Sequence, residues 1–143
     1  HTAYVLGGIS ELSQIRNEYI RMELDGEIVE DDFLFGAICN STSIGGILTL
    51  DPNHVDMGDG LFEVMLVRMP HSFAELSECI RAVQSQDYNC EMITFRSGHY
   101  IRVEADPEMP WSLDGEKEDG HAVVEVENLH HAIHLIQRKE TDA

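Results

Sequence analysis

Ile20-Arg21-Met22-Glu23-Leu24-Asp25-Gly26-Glu27 alternates apolar and charged residues one by one and then breaks at Asp-Gly. A period of two places Ile20, Met22 and Leu24 on one face and Arg21 and Glu23 on the other, the pattern of a half-buried β-strand. Asp25-Gly26 is the commonest two-residue hairpin signal, so the strand should turn back on itself there.

The same reading extends outward. Residues 33–39 form a second strand, leading to Asn40 and a polar loop with Gly45-Gly46. Residues 47–50 are a short apolar run before Pro52. Residues 61–67 are a continuous apolar strand broken only by Glu63. Further short strands are predicted at 92–95, 99–104, 122–126 and 132–136. Residues 3–17 carry Tyr4, Val5, Ile9, Leu12 and Ile15 at roughly helical spacing, interrupted by Gly7-Gly8. Ser72-Phe73-Ala74-Glu75 has the spacing of a capping box, and Phe73, Leu76, Ile80 and Val83 follow at steps of three and four. That predicts a helix. Many strands with one or two helices give a mainly β fold, an antiparallel β-sandwich.

The 143 residues suffice for one domain with a real core. Apolar residues make up 43% and charged residues 25%, as in ordinary soluble domains. The balance of charge is far from ordinary, with 27 acidic against 9 basic residues and a net charge of −18. A nucleic-acid partner is disfavoured, because phosphate contacts require Lys and Arg. Electrostatic binding to an anionic membrane is disfavoured for the same reason. Cys39, Cys79 and Cys90 are odd in number and widely spaced, and read as reduced thiols in core positions. No apolar run approaches the ~20 residues of a membrane span. The chain opens on His1 without a signal peptide, which reads as a piece of a longer cytoplasmic protein.

Two acidic turns carry the candidate chemistry. Asp56-Met57-Gly58-Asp59-Gly60-Leu61 offers a carboxylate at Asp59 and, around its glycines, main-chain carbonyls that a magnesium or calcium ion can use. Its plainer reading is a β-turn with solvated aspartates. Trp111-Ser112-Leu113-Asp114-Gly115-Glu116 places carboxylates at a strand end, where one could accept a hydroxyl proton. Its plainer reading is a hairpin, and Leu24-Asp25-Gly26-Glu27 carries the same tetrapeptide. His130 and His134 would share a strand face, but no HExxH pattern or nearby cysteine supports zinc. Neither G-x-S-x-G nor a Walker A or G-x-G-x-x-G phosphate loop is present.

Taken in order, Phe35-Gly36-Ala37-Ile38-Cys39-Asn40, Gly45-Gly46, Leu50-Asp51-Pro52, Gly58-Asp59-Gly60-Leu61 and Leu113-Asp114-Gly115-Glu116 resemble a known family. The chain looks like the C-terminal half of the bacterial diacylglycerol kinase-like lipid kinases, related to sphingosine kinases and more distantly to NAD kinases. The resemblance implies a two-domain kinase of which residues 1–143 are the second, β-sandwich domain. The N-terminal nucleotide-binding domain, with its Gly-Gly-Asp-Gly-Thr loop for ATP, is not in this sequence. In the family a structural magnesium sits at the turn matching 56–61; Asp59 would give its side chain, Asp56 and Leu61 their carbonyls. The family's proton acceptor falls in the second turn, with Glu116 favoured over Asp114.

The implied activity is transfer of ATP's γ-phosphate to a lipid hydroxyl, diacylglycerol's above all, by a cytoplasmic protein in peripheral contact with the membrane. Partners would be that lipid, ATP and the chain's own N-terminal domain, and a homodimer is open. This chain departs from the family at Gly58, where an aspartate often precedes Asp59, and at Asp56, where a basic residue is common. The rival expectations are a non-catalytic regulatory or ligand-binding sandwich module, or a related kinase acting on sphingoid bases or NAD.

Overall fold

The computed structural model describes residues 16–44, 48–50, 55–134 and 136. The helical pattern read at 3–15 and the Gly45-Gly46 loop lie outside these residues. Within them, ten strands and one helix run in the order β1 (Glu18–Leu24), β2 (Glu27–Cys39), β3 (Ser43–Ile44), β4 (Leu48–Thr49), β5 (Phe62–Arg68), α1 (Phe73–Ser85), β6 (Ile93–Gly98), β7 (Tyr100–Glu104), β8 (Trp111–Leu113), β9 (Glu116–Glu118) and β10 (Val123–Glu127). Six strands form one antiparallel sheet in the order β10-β7-β1-β2-β5-β6, and β3-β4 and β8-β9 are two-stranded ribbons. The fold is mainly β and antiparallel, as the alternation implies.

The long strand β2 makes this sheet into a sandwich. Its first half, from Glu27 to Phe33, pairs with β1, and its second half, from Phe33 to Cys39, pairs with β5. The register shifts between Phe33 and Phe35. Such an irregularity bends a strand and lets it pass from one layer to the other. The connection between β6 and β7 requires the bend. In a flat sheet these strands would stand four spacings apart, roughly 19 Å. His99 alone joins them, and the two Cα steps from Gly98 to Tyr100 reach at most about 7 Å. The two halves must therefore face each other.

Between them lies a core of Ile20, Met22, Leu24, Phe33, Val64, Leu66, Ile101 and Val103, drawn from both halves. A second cluster, outside β5 and under α1, holds Leu50, Met65, Val67, Cys79, Ala82, Tyr88, Met92 and Ile93. Both faces of β5 are thus covered from Val64 to Val67, which explains the apolar run there.

At the closing corner the Asp25 carboxylate accepts hydrogen bonds from the His99 and Tyr100 backbone N–H groups, each at 2.9 Å. The Asp25 N–H donates to the Tyr100 carbonyl at 3.1 Å. A Cβ on Gly98 would lie 2.2 Å from Leu24 Cδ1, so the two ends meet without room to spare.

Several expectations need correction. Strand β2 begins at Glu27 rather than at 33, because Glu30, Asp31 and Asp32 hide an otherwise regular hairpin pairing with β1. The helix forms with the Ser72 cap, whose Oγ accepts from the Glu75 N–H at 3.2 Å. Its buried residues, however, are Cys79 and Ala82, while Phe73 is 72% and Ile80 39% exposed. Cys79 and Ala82 join the second core cluster and Val83 packs against it, which leaves Phe73 and Ile80 outside the packed face. Residues 132–134 and 136 are not a strand: the Ala132 N–H closes a turn onto the Leu129 carbonyl, and His131 has φ +57°.

The two backbone hydrogen bonds hold the Asp25 carboxyl below its ordinary range, chiefly through His99 and then Tyr100. That contribution is complete above the ordinary aspartate range near pH 4 and is lost as pH falls through the lowered native value. Asp25→Ala should cost about 1 kcal/mol at neutral pH, the scale of exposed charge-assisted hydrogen bonds. The difference from wild type should shrink on acidification. Denaturant unfolding of both proteins across this range measures it.

Candidate functional site

The turn at 56–61 enters β5 from the closing corner and is held by its own aspartates. Asp56 Oδ1 accepts from the Gly58 N–H at 2.9 Å, and Asp59 Oδ1 from the Leu61 N–H at 2.8 Å. The Asp59 N–H reaches back to the Asp56 carbonyl at 3.3 Å. These are Asx turns, the local structure aspartate favours. Asp56 and Asp59 are both exposed, and among the described residues neither gives its Oδ2 to a hydrogen bond.

Three side chains from elsewhere grip the carbonyls of this turn. Asn40, just past β2, donates Nδ2–H to the Met57 carbonyl at 3.4 Å. Asn128, just past β10, donates Nδ2–H to the Leu61 carbonyl at 3.1 Å, and its backbone N–H to the His99 carbonyl at 3.0 Å. His130 Nε2 lies 2.8 Å from the Gly58 carbonyl. The His130 ring also covers Gly60, which has φ +82° and is buried; a Cβ there would lie 2.9 Å from His130 Cγ. Only glycine suits that position on both counts. None of the three side chains could be assigned from sequence, since each acts across a long chain separation and follows a strand without local signature.

The donors here are all hard oxygens: one free carboxylate oxygen on Asp59 and the Asp56 and Leu61 carbonyls, each with a lone pair to spare. That chemistry suits magnesium or calcium rather than zinc. Among the described residues no three His, Cys, Asp or Glu side chains converge to hold a metal. His130 is committed to the turn and stacks on His131 with ring centroids 3.6 Å apart, and with no strand there the expected shared face with His134 does not exist.

In β5, two residues past Leu61, Glu63 is 1% exposed and its Oε2 has no hydrogen-bond partner. Burial pushes its carboxyl up, and the charges of Asp59 and Asp56 push it further, against a hydrogen bond from its own backbone. Burial and the neighbouring Glu63 likewise raise the Cys39 thiol, whose Sγ points to the Glu63 and Ser41 carbonyls at 3.7 and 3.8 Å.

Asp114 and Glu116 flank the hairpin of β8 and β9, in which Leu113 pairs with Glu116. Asp114 and Gly115 have φ +51° and +88°; Asp25 and Gly26 have +48° and +92°. The two Leu-Asp-Gly-Glu turns are therefore conformational copies, and Leu24 pairs with Glu27 as Leu113 does with Glu116. Their carboxylates have different fates. Asp25 is consumed by the corner, whereas Asp114 and Glu116 are exposed and take no hydrogen bond or ion pair among the described residues. The structure does not join the two candidate segments. The ribbon springs from the Glu104–Val123 end of the β7–β10 pair, while the turn at 56–61 is tied through Asn128 to its Tyr100–Glu127 end.

Residues 1–137 match the family described as the YegS C-terminal NAD kinase beta sandwich-like domain. The chain belongs to that family. A diacylglycerol kinase of Staphylococcus carnosus (strain TM300) is 24% identical to this domain over 115 residues, 80% of this chain and 37% of that protein. A solved structure described as a diacylglycerol kinase from Bacillus anthracis str. Sterne superimposes with a TM-score of 0.61 at 22% identity. It covers 82% of this chain and 42% of that one. A second structure from the same organism gives a TM-score of 0.53 at 18% identity over 83% of this chain and 40% of the other. The domain thus spans about two fifths of the length of these relatives, and the structural likeness is one of fold.

The grip of His130 on the turn is testable by coupling. Gly60→Ala should destabilise the domain by roughly 1–3 kcal/mol, through its positive φ and the His130 ring together. In a His130→Ala background part of that cost should vanish, leaving a coupling of at least about 0.5 kcal/mol in a double-mutant cycle. Additive effects in thermal unfolding would remove His130 from the turn.

Proposed function

We propose that this domain is the C-terminal part of an ATP-dependent lipid kinase that phosphorylates a lipid hydroxyl, with diacylglycerol the acceptor to test first. The observation that carries the reading is the contrast between the two identical hairpins. The corner consumes the carboxylate of one, while the other presents Asp114 and Glu116 unengaged beside Leu113, which is 65% exposed. An exposed leucine next to free carboxylates suits an acceptor with an apolar body and a hydroxyl head.

In this reading Glu116 accepts the hydroxyl proton as the acceptor oxygen bonds to the γ-phosphorus and the bond from that phosphorus to the β-γ bridging oxygen breaks, releasing ADP. Asp114 neighbours it and supports its placement. Asp59, with the Asp56 and Leu61 carbonyls, would hold a magnesium ion at the other end of the β7–β10 pair. A bound divalent cation supplies positive charge that no arginine or lysine of this turn can. ATP would be cradled by the chain's own N-terminal domain. The family membership and the diacylglycerol kinase relatives support a kinase-like role at the coarse level. In this reading the protein is cytoplasmic and meets lipid at the surface of the bilayer; no helix among the described residues is long and apolar enough to cross a membrane.

The test uses the full-length protein, with labelled phosphate transfer from ATP to a panel of diacylglycerol, sphingoid bases and NAD. Glu116→Gln should lower kcat by about 10²- to 10⁴-fold, the usual weight of a general base, with little change in KM or thermal stability. Asp114→Asn should have a smaller effect. Unchanged turnover in Glu116→Gln removes the base, and transfer to no acceptor supports a non-catalytic module instead.

A further inference from the structure

Leu61, the residue before β5, is held through both of its backbone polar groups. Its N–H donates to Asp59 Oδ1 at 2.8 Å, and its carbonyl accepts from Asn128 Nδ2–H at 3.1 Å. Asn128 is itself fixed by its backbone N–H, which donates to the His99 carbonyl at 3.0 Å. A continuous hydrogen-bonded chain therefore runs from the Asp59 carboxylate through Leu61 and Asn128 to the closing corner.

The three side chains that reach this turn are not equivalent. Asn40, on the Met57 carbonyl, and His130, on the Gly58 carbonyl, are exposed. Asn128 is 7% exposed, and among the described residues its amide makes no hydrogen bond other than the one to Leu61. Burying an amide costs free energy that a single hydrogen bond offsets only in part. An apolar side chain of the same shape would fill the place without that cost. The buried amide thus stands at the one carbonyl of the three that is read as a cation ligand.

We propose that Asn128 is a positioning residue of the cation site at the 56–61 turn, holding the Leu61 carbonyl in the orientation in which it meets the ion. The inference rests on the reading of that turn as a divalent-cation site and adds to it a residue that does not touch the ion. A carbonyl oxygen has two lone pairs; the amide takes one and leaves the other for the cation. A ligand fixed before the ion arrives loses little freedom when it binds, so affinity rises without a further contact. Magnesium gains more from this than calcium, because it demands near-ideal octahedral geometry whereas calcium accepts a flexible shell.

The experiment is calorimetric titration of the full-length protein with magnesium, and separately with calcium, without nucleotide or lipid, for wild type, Asp59→Asn and Asn128→Leu. Asp59→Asn defines the binding that belongs to the turn. Asn128→Leu keeps the branched shape and the backbone bond to His99 and removes only the amide. It should weaken the magnesium component by about 10- to 100-fold, the range for lost outer-shell partners, and the calcium component by less. Magnesium affinity within twofold of wild type overturns the proposal, and a lowered metal-free melting temperature beside it makes Asn128 structural only. An equal loss for both ions also overturns it, since that is general damage to the turn. Should Asn128→Leu fail to fold, hydrogen exchange in the wild type decides. Saturating magnesium should slow exchange of the Asn128 backbone N–H by about fivefold or more, the lower bound of ordinary coupling between sites, and unchanged exchange overturns the proposal. If Asp59→Asn titrates like wild type, the turn is not a cation site, and it is the reading beneath the proposal that fails.

Discussion

The closure of the sheet at one residue, His99, is the constraint on which the other features depend. Strands β6 and β7 belong to opposite regions of the sheet, and only a folded-over β2 lets them follow one another directly. Once β2 bends near Phe33, the apolar faces of β1, β7 and β5 meet and exclude water, and burial of that surface drives the closure. The corner itself contributes few contacts. It needs a hydrogen-bond acceptor for two adjacent backbone N–H groups, and the Asp25 carboxylate provides one oxygen to each. The same corner positions the turn at 56–61, because Asn128 joins the His99 carbonyl to the Leu61 carbonyl. Fold closure and site placement are thus one event.

Elements with one wet face were legible in the sequence, and those defined by distant partners were not. Ile20, Met22 and Leu24 alternate with charges and face the core as the period requires. The run at 62–67 reads as a buried strand, and β5 is covered on both faces. The first half of β2 escaped notice because Glu30 and Asp31 make ion pairs across the sheet, with Arg21 and Arg68, and give no apolar rhythm. The helix was found through its cap, a local device. Its packed face centres on Cys79 and Ala82, which join the cluster of Met65, Val67 and Ile93, while the larger Phe73 and Ile80 stay exposed. Apolar spacing along a helix says which residues can be buried; the partner surface decides which are.

The candidate site shows the same division more sharply. The two Leu-Asp-Gly-Glu segments are indistinguishable as sequence and nearly so as backbone. What separates them is whether a strand end comes close enough to use the aspartate, a fact held by His99 and Tyr100 more than seventy residues away from Asp25. Turn chemistry at 56–61 was readable because Asx turns are local. The side chains of Asn40, Asn128 and His130 that grip it were not, since a single polar residue after a strand carries no mark of its target. Glu63 was visible only as an interruption in an apolar strand. Its meaning depends on the burial and on the direction in which its face of β5 looks.

The surplus of acid also has a structural pattern, and it bears on what the domain can contribute to phosphoryl transfer. Arg21 is flanked across the sheet by Glu30 and Glu104, and Arg102 by Glu104 of its own strand and Glu125 of β10. Arg68 pairs with Asp31 at 3.0 Å, and Arg96 approaches Glu27 at 4.0 Å. Each such pair is worth only about 0–1 kcal/mol in stability at an exposed surface. Their larger effect is to occupy the guanidinium groups with carboxylates of the same domain. An arginine held between two carboxylates is a poor clamp for a phosphate, because binding the phosphate means abandoning partners already in place. The β10-β7-β1-β2 face therefore repels polyphosphates rather than gathering them. A domain built this way can offer oxygen ligands to a cation and a carboxylate to a hydroxyl proton. In the proposed kinase the positive groups and backbone N–H donors that phosphate requires would come from elsewhere, in keeping with the acidic balance of these 143 residues.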